Sequence, residues 1–163
     1  GDLIISTADK GISFTGGTDP DTAGSATGNI LNDYEEGTWT ATFTTNDVAP
    51  TTPRTVSGDY TRIGNLVTIT AGSSGINMTG GVGNLRITGI PFDLATADAA
   101  YGSCYFMNWD IPDGAMNIIC LMHNSDADKI RFVSTHDDSN YQQIADNTPT
   151  AGRCYFTITY HCA

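Results

Sequence analysis

The chain has 163 residues, of which only 15% are charged, and its 18 acidic and 7 basic side chains give a formal net charge of −11. This length fits one domain with its own core. The acidic balance argues against nucleic acid as a partner, because that binding depends on basic side chains that neutralise phosphates. No apolar run approaches the roughly 18 residues that a membrane helix requires, so we expect no membrane insertion.

The first 37 residues differ from the rest of the chain. Two very short apolar runs, at residues 3–5 and 12–14, precede a stretch without hydrophobic periodicity, residues 16–28. Such short strands cannot bury a core alone. They need either the main domain or equivalent segments of other subunits to lie against, and the sequence therefore predicts an N-terminal stalk or collar segment over residues 1–37.

From Thr38 onward, short alternating segments predict a β domain over residues 38–163. Residues 38–43 place Trp39, Ala41 and Phe43 on one face, which is the period-two pattern of a half-buried strand. The pair Gly64-Asn65 predicts a two-residue hairpin turn between two further strands, since both residue types tolerate positive φ.

The second half of the chain continues this pattern. Leu85 and Ile87 are predicted to lie on one face of a strand and Arg86 and Thr88 on the other, with the ladder ending at Pro91. Further strands are predicted over residues 101–109, 116–123, 129–134 and 153–161, with a short helical turn at residues 140–145. The resulting expectation is an all-β fold, an antiparallel β-sandwich of the jelly-roll type.

The sequence contains no motif that indicates catalysis or a cofactor. Cys104, Cys120, Cys154 and Cys162 form no Cys-x-x-Cys pair, so zinc or redox chemistry is not indicated. Buried free thiols are favoured, although a disulfide would be possible between neighbouring strands. The Asp-x-Asp spacing at Asp126 lacks the glycine and distal glutamate of a calcium loop and is more typical of a turn. We expect no bound metal, no cofactor and no enzymatic activity.

Exposed aromatic side chains form the more informative group. If Cys104 and Phe106 face the core, then Tyr105, Met107 and Trp109 face a second partner. A subunit interface, ordinary burial and stacking on a sugar ring all remain open for these residues.

Three sequence segments resemble a recurring element of bacteriophage tail-fibre and related virion structural proteins, commonly of marine phages. They are an acidic Asp-Tyr-Glu-Glu-Gly-Thr-Trp segment at residues 33–39, a Tyr-x-Arg-Ile-Gly-Asn-x-Val strand at residues 60–67, and Ile-Pro-Phe at residues 90–92. The start of the chain also resembles the stalk repeats that precede such domains. The resemblance covers residues 1–92 and fades over residues 93–163.

This resemblance implies a homotrimeric, non-enzymatic distal module of a virion tail fibre, assembled in the host cytoplasm and used for host attachment. The expected partner is a host cell-surface glycan or outer-membrane component. At the threefold axis we expect Leu3, Ile5, Ile12, Phe14 and Leu31. The receptor-contacting loops are expected near Trp109, His123 and Tyr141. The alternatives are a purely structural virion module, such as a capsid decoration or trimerisation domain, and, third, a tail-spike carbohydrate-active enzyme.

Overall fold

The computed structural model describes residues 34–95, 99–137, 139–145 and 149–163, together with two short strands at residues 12–13 and 30–31 whose side chains are not described. These residues contain no helix. The strands are β1 (Ile12–Ser13), β2 (Ile30–Leu31), β3 (Tyr34–Thr45), β4 (Arg54–Ile63), β5 (Leu66–Ile76), β6 (Leu85–Thr88), β7 (Ala99–Met107), β8 (Asn117–His123), β9 (Asp126–His136), β10 (Ser139–Gln143) and β11 (Gly152–His161).

The two N-terminal strands pair with each other. β1 and β2 are antiparallel, with Ile12 opposite Leu31. Leu3, Ile5 and Phe14 lie outside the described residues, as do the side chains of Ile12 and Leu31, so the predicted oligomer interface stays a prediction. The division into residues 1–37 and 38–163 also stays a prediction, with the detail that β3 already begins at Tyr34.

The remaining described strands form one antiparallel sheet that closes on itself. Its order is β10-β9-β6-β3-β4-β5-β11-β7-β8, and β8 also pairs with β9. In the described part of the chain, eight strands therefore form a closed barrel. β10 pairs with β9 on the same edge as β6, nearer the distal end. The all-β, antiparallel prediction is confirmed. The two-sheet sandwich of jelly-roll type is not confirmed, because the hydrogen-bonded ladder is continuous around the barrel.

The barrel consists of two similar halves. β3, β4 and β5 form a meander, and β6 returns to pair with β3. β7, β8 and β9 form a second meander, and β11 returns to pair with β7. Each half is thus a Greek key in which the fourth strand lies beside the first. The halves join at two seams, β5 with β11 and β6 with β9.

The core fills the barrel interior, as the alternating patterns predict. Every second side chain of β11 is buried, from Cys154 to Tyr160. Trp39, Ala41 and Phe43 of β3 face the same interior. Four further side chains that no solvent reaches complete its centre: Ile69, Ile87, Met122 and Phe132.

Three local predictions have different outcomes in the structure. The Gly64 hairpin is confirmed, with Gly64 at φ 60° and Ile63 opposite Leu66. The helical turn at residues 140–145 is wrong, because β10 occupies Ser139–Gln143. β6 ends at Thr88 rather than at Pro91, since Gly89 turns away with φ 86° and lies against the backbone oxygen of Thr40.

The barrel has two ends that differ in what they contain. We call the end where β3 begins, at Tyr34, the proximal end, and the opposite end, where β3 stops at Thr45, the distal end. Following the antiparallel pairings, the β4–β5 and β8–β9 turns lie at the proximal end. The β7–β8 loop and the start of β11 lie at the distal end.

Candidate functional site

The three predicted receptor contacts do not lie together. Trp109 follows the end of β7, and Tyr141 is in β10, so both lie toward the distal end. His123 ends β8 opposite Ala99, at the proximal end. Its ring accepts a hydrogen bond from the Ser125 amide in the β8–β9 turn. A single ligand at one end of the barrel therefore cannot contact all three residues.

Trp109 closes the distal end of the core. Asn108 adopts φ 58°, a left-handed conformation that asparagine tolerates better than most residues. The chain therefore reverses, and the indole packs edge-on against Phe106 at a centroid distance of 5.2 Å. Its Nε1 donates a hydrogen bond to the Arg153 carbonyl, at 3.0 Å. Cys104 and Phe106 face the core as predicted, but Trp109 packs with them rather than with Tyr105.

A polar cleft lies beside Trp109 at the distal end. Its volume is about 330 Å³, between the β7–β8 loop and β10. The side chains that line it include two carboxylates, Asp110 and Asp113, and two amides, Gln142 and Gln143. Carboxylates and amides in this arrangement can donate and accept hydrogen bonds with a hydroxyl-rich ligand. Tyr141, which is 53% exposed, precedes Gln142 in β10.

A second distal groove is more apolar. It also measures about 330 Å³, and Tyr105, Ile111 and Met116 are among its lining residues. Met116 is 72% exposed, and Tyr105 lies opposite the exposed Tyr155 on the outer face of β7 and β11. Since Ile111 also lines the polar cleft, the two depressions adjoin. We call them together the distal surface.

Sequence reasoning identified Tyr105, Trp109 and Tyr141 in this region but missed the residues that line the cleft. Asp110 and Asp113 lie on either side of a proline in a segment without hydrophobic periodicity. Such a segment is typical of an ordinary turn. The sequence predicts a helical turn for Gln142 and Gln143. The two segments are about thirty residues apart in sequence and meet only because β9 carries β10 back along the barrel.

The proximal end brings together residues from three sequence segments. The Tyr60 hydroxyl donates a hydrogen bond to the Glu35 carboxylate, and this bond raises the pKa of Tyr60. The Tyr60 ring packs edge-on against the Phe92 ring, at a centroid distance of 5.3 Å. It also lies over Gly37 of β3. The Arg62 guanidinium lies 5.0 Å from the Phe92 ring centroid, within cation–π range.

All four cysteines lie in the described residues and are free thiols, as predicted. Burial raises the pKa of Cys104 to about 11 and that of Cys120 to about 12, and it raises the pKa of Cys154 well above its usual range. A thiol in such surroundings is a poor nucleophile, because the reactive species is the thiolate. Cys104, Cys120 and Cys154 therefore contribute mainly to packing.

Nowhere in the described ranges do three His, Cys, Asp or Glu side chains gather as metal ligands would. Nor does the described part of the chain include a helix long and apolar enough to cross a membrane. No model of a known protein family matches this chain, and no curated protein matches it.

Proposed function

We propose that this chain is the distal, receptor-binding barrel of a trimeric phage tail fibre and that it attaches to a host cell-surface glycan. In this proposal the proximal end is joined to the N-terminal stalk segment, and the distal surface contacts the host. The trimer, the virion and the receptor are all part of the proposal. It includes no catalysis.

The difference between the proximal and distal ends of the barrel is the observation that carries the proposal. The three segments that resemble tail-fibre proteins meet around Tyr60 at the proximal end, where β3 receives the chain from the N-terminal segment. The residues that line the polar cleft lie between Asp110 and Ala145, in the half of the chain where the resemblance fades. An attachment module needs one end that joins the fibre and an opposite end that can contact a receptor.

The chemistry of the distal surface supports a glycan as the ligand. Sugars present hydroxyl groups, which carboxylate and amide side chains bind, and apolar ring faces, which aromatic side chains cover. Both kinds of group are present here, in the polar cleft and in the adjoining groove with Tyr105. The strong acidity of the chain disfavours a nucleic-acid ligand.

The test is binding of the labelled full chain to a glycan array and to bacteria that display the glycans bound. Tyr141→Ala and Gln142→Ala should each weaken binding roughly tenfold, as loss of an interface contact commonly does. Both side chains are exposed, so these variants should fold. His123→Ala is the matched control, since it removes an exposed side chain at the proximal end, and it should bind like the unchanged chain.

Three outcomes would contradict the proposal. Equal loss of binding in the His123 and Tyr141 variants would mean that the distal surface is not the contact. A trimer that binds neither glycan nor cells would favour the purely structural virion module. Shortening of a bound polysaccharide would indicate the third alternative, a carbohydrate-active enzyme.

A further inference from the structure

A small pocket lies on the side of the barrel where its two halves join, at the β6–β9 seam. Its volume is about 200 Å³, and we call it the seam pocket. Its lining includes Arg86, Lys129, Asp126, Asn46 and the hydroxyl-bearing Thr44 and Thr88. It shares no lining residue with the polar cleft, although Arg86 contacts Gln143 of that cleft. It belongs to the outer face of the barrel, because Leu85 and Ile87 of β6 point inward.

The seam concentrates positive charge in an acidic protein. Arg86 lies directly opposite Arg131, and Thr88 lies opposite Lys129. Three of the seven basic residues of the chain therefore occupy two neighbouring strands. Two like charges side by side on a sheet are unfavourable unless something compensates them.

Arg86 is the central residue of the pocket. It is 5% exposed, although it points away from the core. Its Nη1 donates to the Leu85 carbonyl at 2.9 Å, and its Nη2 donates to Gln143 Oε1 at 2.6 Å. Both acceptors are uncharged, and the guanidinium has further N–H donors. Burial, followed by the nearby Arg131, lowers the pKa of Arg86.

The charges of Asp126 and Asp47 act on Arg86, but neither carboxylate forms an ion pair with it. Asp126 binds Arg131, whose Nε donates to Asp126 Oδ2 at 2.7 Å. Asp128 lies 3.2 Å from Lys129 in an exposed ion pair. Among the described residues, the ion pairs do not include Arg86. A buried guanidinium that no carboxylate contacts directly is costly, and a bound anion would relieve that cost.

We propose that the seam pocket binds the oxyanion group of a ligand, a carboxylate or a sulfate or phosphate group, with Arg86 as its main contact. Lys129 adds a second positive charge, and Thr44 and Thr88 offer hydroxyl donors at the rim. The anion would lie toward Arg86 and Lys129, away from Asp126. Guanidinium groups suit planar, two-oxygen contacts of this kind. The inference does not depend on the attachment role, since the pocket could bind such a group in any setting.

The experiment is a thermal-unfolding titration of the full chain with sodium acetate, sodium sulfate or sodium phosphate, against sodium chloride at matched ionic strength. An anion that binds the folded state raises the midpoint in a saturable way. Acetate alone would indicate a carboxylate ligand, and sulfate or phosphate would indicate the tetrahedral anions. No rise beyond that in chloride would overturn the proposal.

Variants assign the effect to the pocket. Arg86→Gln should weaken the apparent affinity by roughly tenfold or more, as expected for a charged hydrogen bond. Arg153→Gln is the control, because Arg153 is an exposed arginine at the other seam, opposite Ser74. An equal loss in the control would overturn the assignment. If Arg86→Gln does not fold, Lys129→Gln decides, with a loss of roughly threefold expected and an unchanged affinity contradicting the proposal.

Discussion

At the residue scale, burial keeps the cysteine thiols protonated. Cys120 lies between β7 and β9, and its Sγ is 3.4 Å from the Thr157 carbonyl, to which it donates. Burial raises the pKa of this thiol from 9.0 to about 12. The same cause raises the pKa of Cys104 to about 11. Both groups stay neutral in the folded chain at pH values where they ionise in the unfolded chain.

The protein should therefore lose stability in mild alkali. Above about pH 9 the unfolded chain releases protons that the native thiols retain, so the free energy of unfolding falls as pH rises. For Cys120 the fall is at most about 1.4 kcal/mol per pH unit. Denaturant unfolding of the unchanged chain and of Cys120→Ala between about pH 8 and about pH 11 checks this.

The informative quantity is the difference in the free energy of unfolding between the unchanged chain and Cys120→Ala. Cys120→Ala should be less stable at neutral pH, because it leaves a cavity in the core. Its deficit should shrink as pH rises, since it has lost one ionising thiol. A deficit that stays constant across the alkaline range would show that Cys120 does not ionise on unfolding in the way described.

At the element scale, β3 and β4 are joined by two glycine–aromatic pairs. Gly37 lies opposite Tyr60, and Trp39 lies opposite Gly58. A Cβ on Gly37 would come within 2.6 Å of the Tyr60 hydroxyl, so the ring crosses the glycine. The Trp39 indole covers Gly58 in the same way. It also donates from Nε1 to a β5 carbonyl, that of Thr70, at 3.3 Å.

Gly58→Ala should destabilise the barrel by about 3 kcal/mol, because overpacking cannot be relieved there. The new Cβ would lie 2.4 Å from Trp39 Nε1 and 2.4 Å from the Thr70 carbonyl oxygen, which is backbone. Gly64→Ala is the control. Gly64 has positive φ but nothing within 4 Å, so only backbone strain of about 1 to 2 kcal/mol is expected. Equal losses in urea unfolding would contradict the role given to Trp39.

Several elements could be predicted from the sequence because their side chains alternate. β11 is the clearest, since Cys154, Phe156 and Ile158 alternate with polar residues and are buried. β10 could not, because Ser139–Gln143 has no apolar alternation and its residues are mostly exposed. β10 forms a strand because its backbone pairs with the edge of β9. This is a tertiary effect that local propensity does not reveal.

The candidate site was harder to predict than the core, for two physical reasons. Period-two alternation placed Trp109 beside Tyr105 and Met107, but it fails where Asn108 takes a left-handed conformation and reverses the chain. The closing of the barrel also depends on long-range pairings, such as β6 with β9, that one sequence does not encode locally. The seam pocket around Arg86 exists only because of that pairing.

At the scale of the whole molecule, the two ends of the barrel differ, and we propose that the proximal end joins the fibre while the distal surface contacts the host. The proximal cluster of Glu35, Tyr60 and Phe92 lies where the N-terminal segment joins β3. The distal surface lies at the other end of the same strands. If three copies associate through their N-terminal segments, their distal surfaces point the same way, which gives multivalent contact with a cell surface.

The central claim is that the N-terminal segment assembles three chains, and the mass of the full chain in solution, measured by light scattering, tests it most directly. The account predicts three times the 17.3 kDa of one chain. Ile12→Asp should lower this to a single-chain mass while the barrel remains folded, because a buried charge disrupts an apolar interface. A single-chain mass for the unchanged protein would contradict the account.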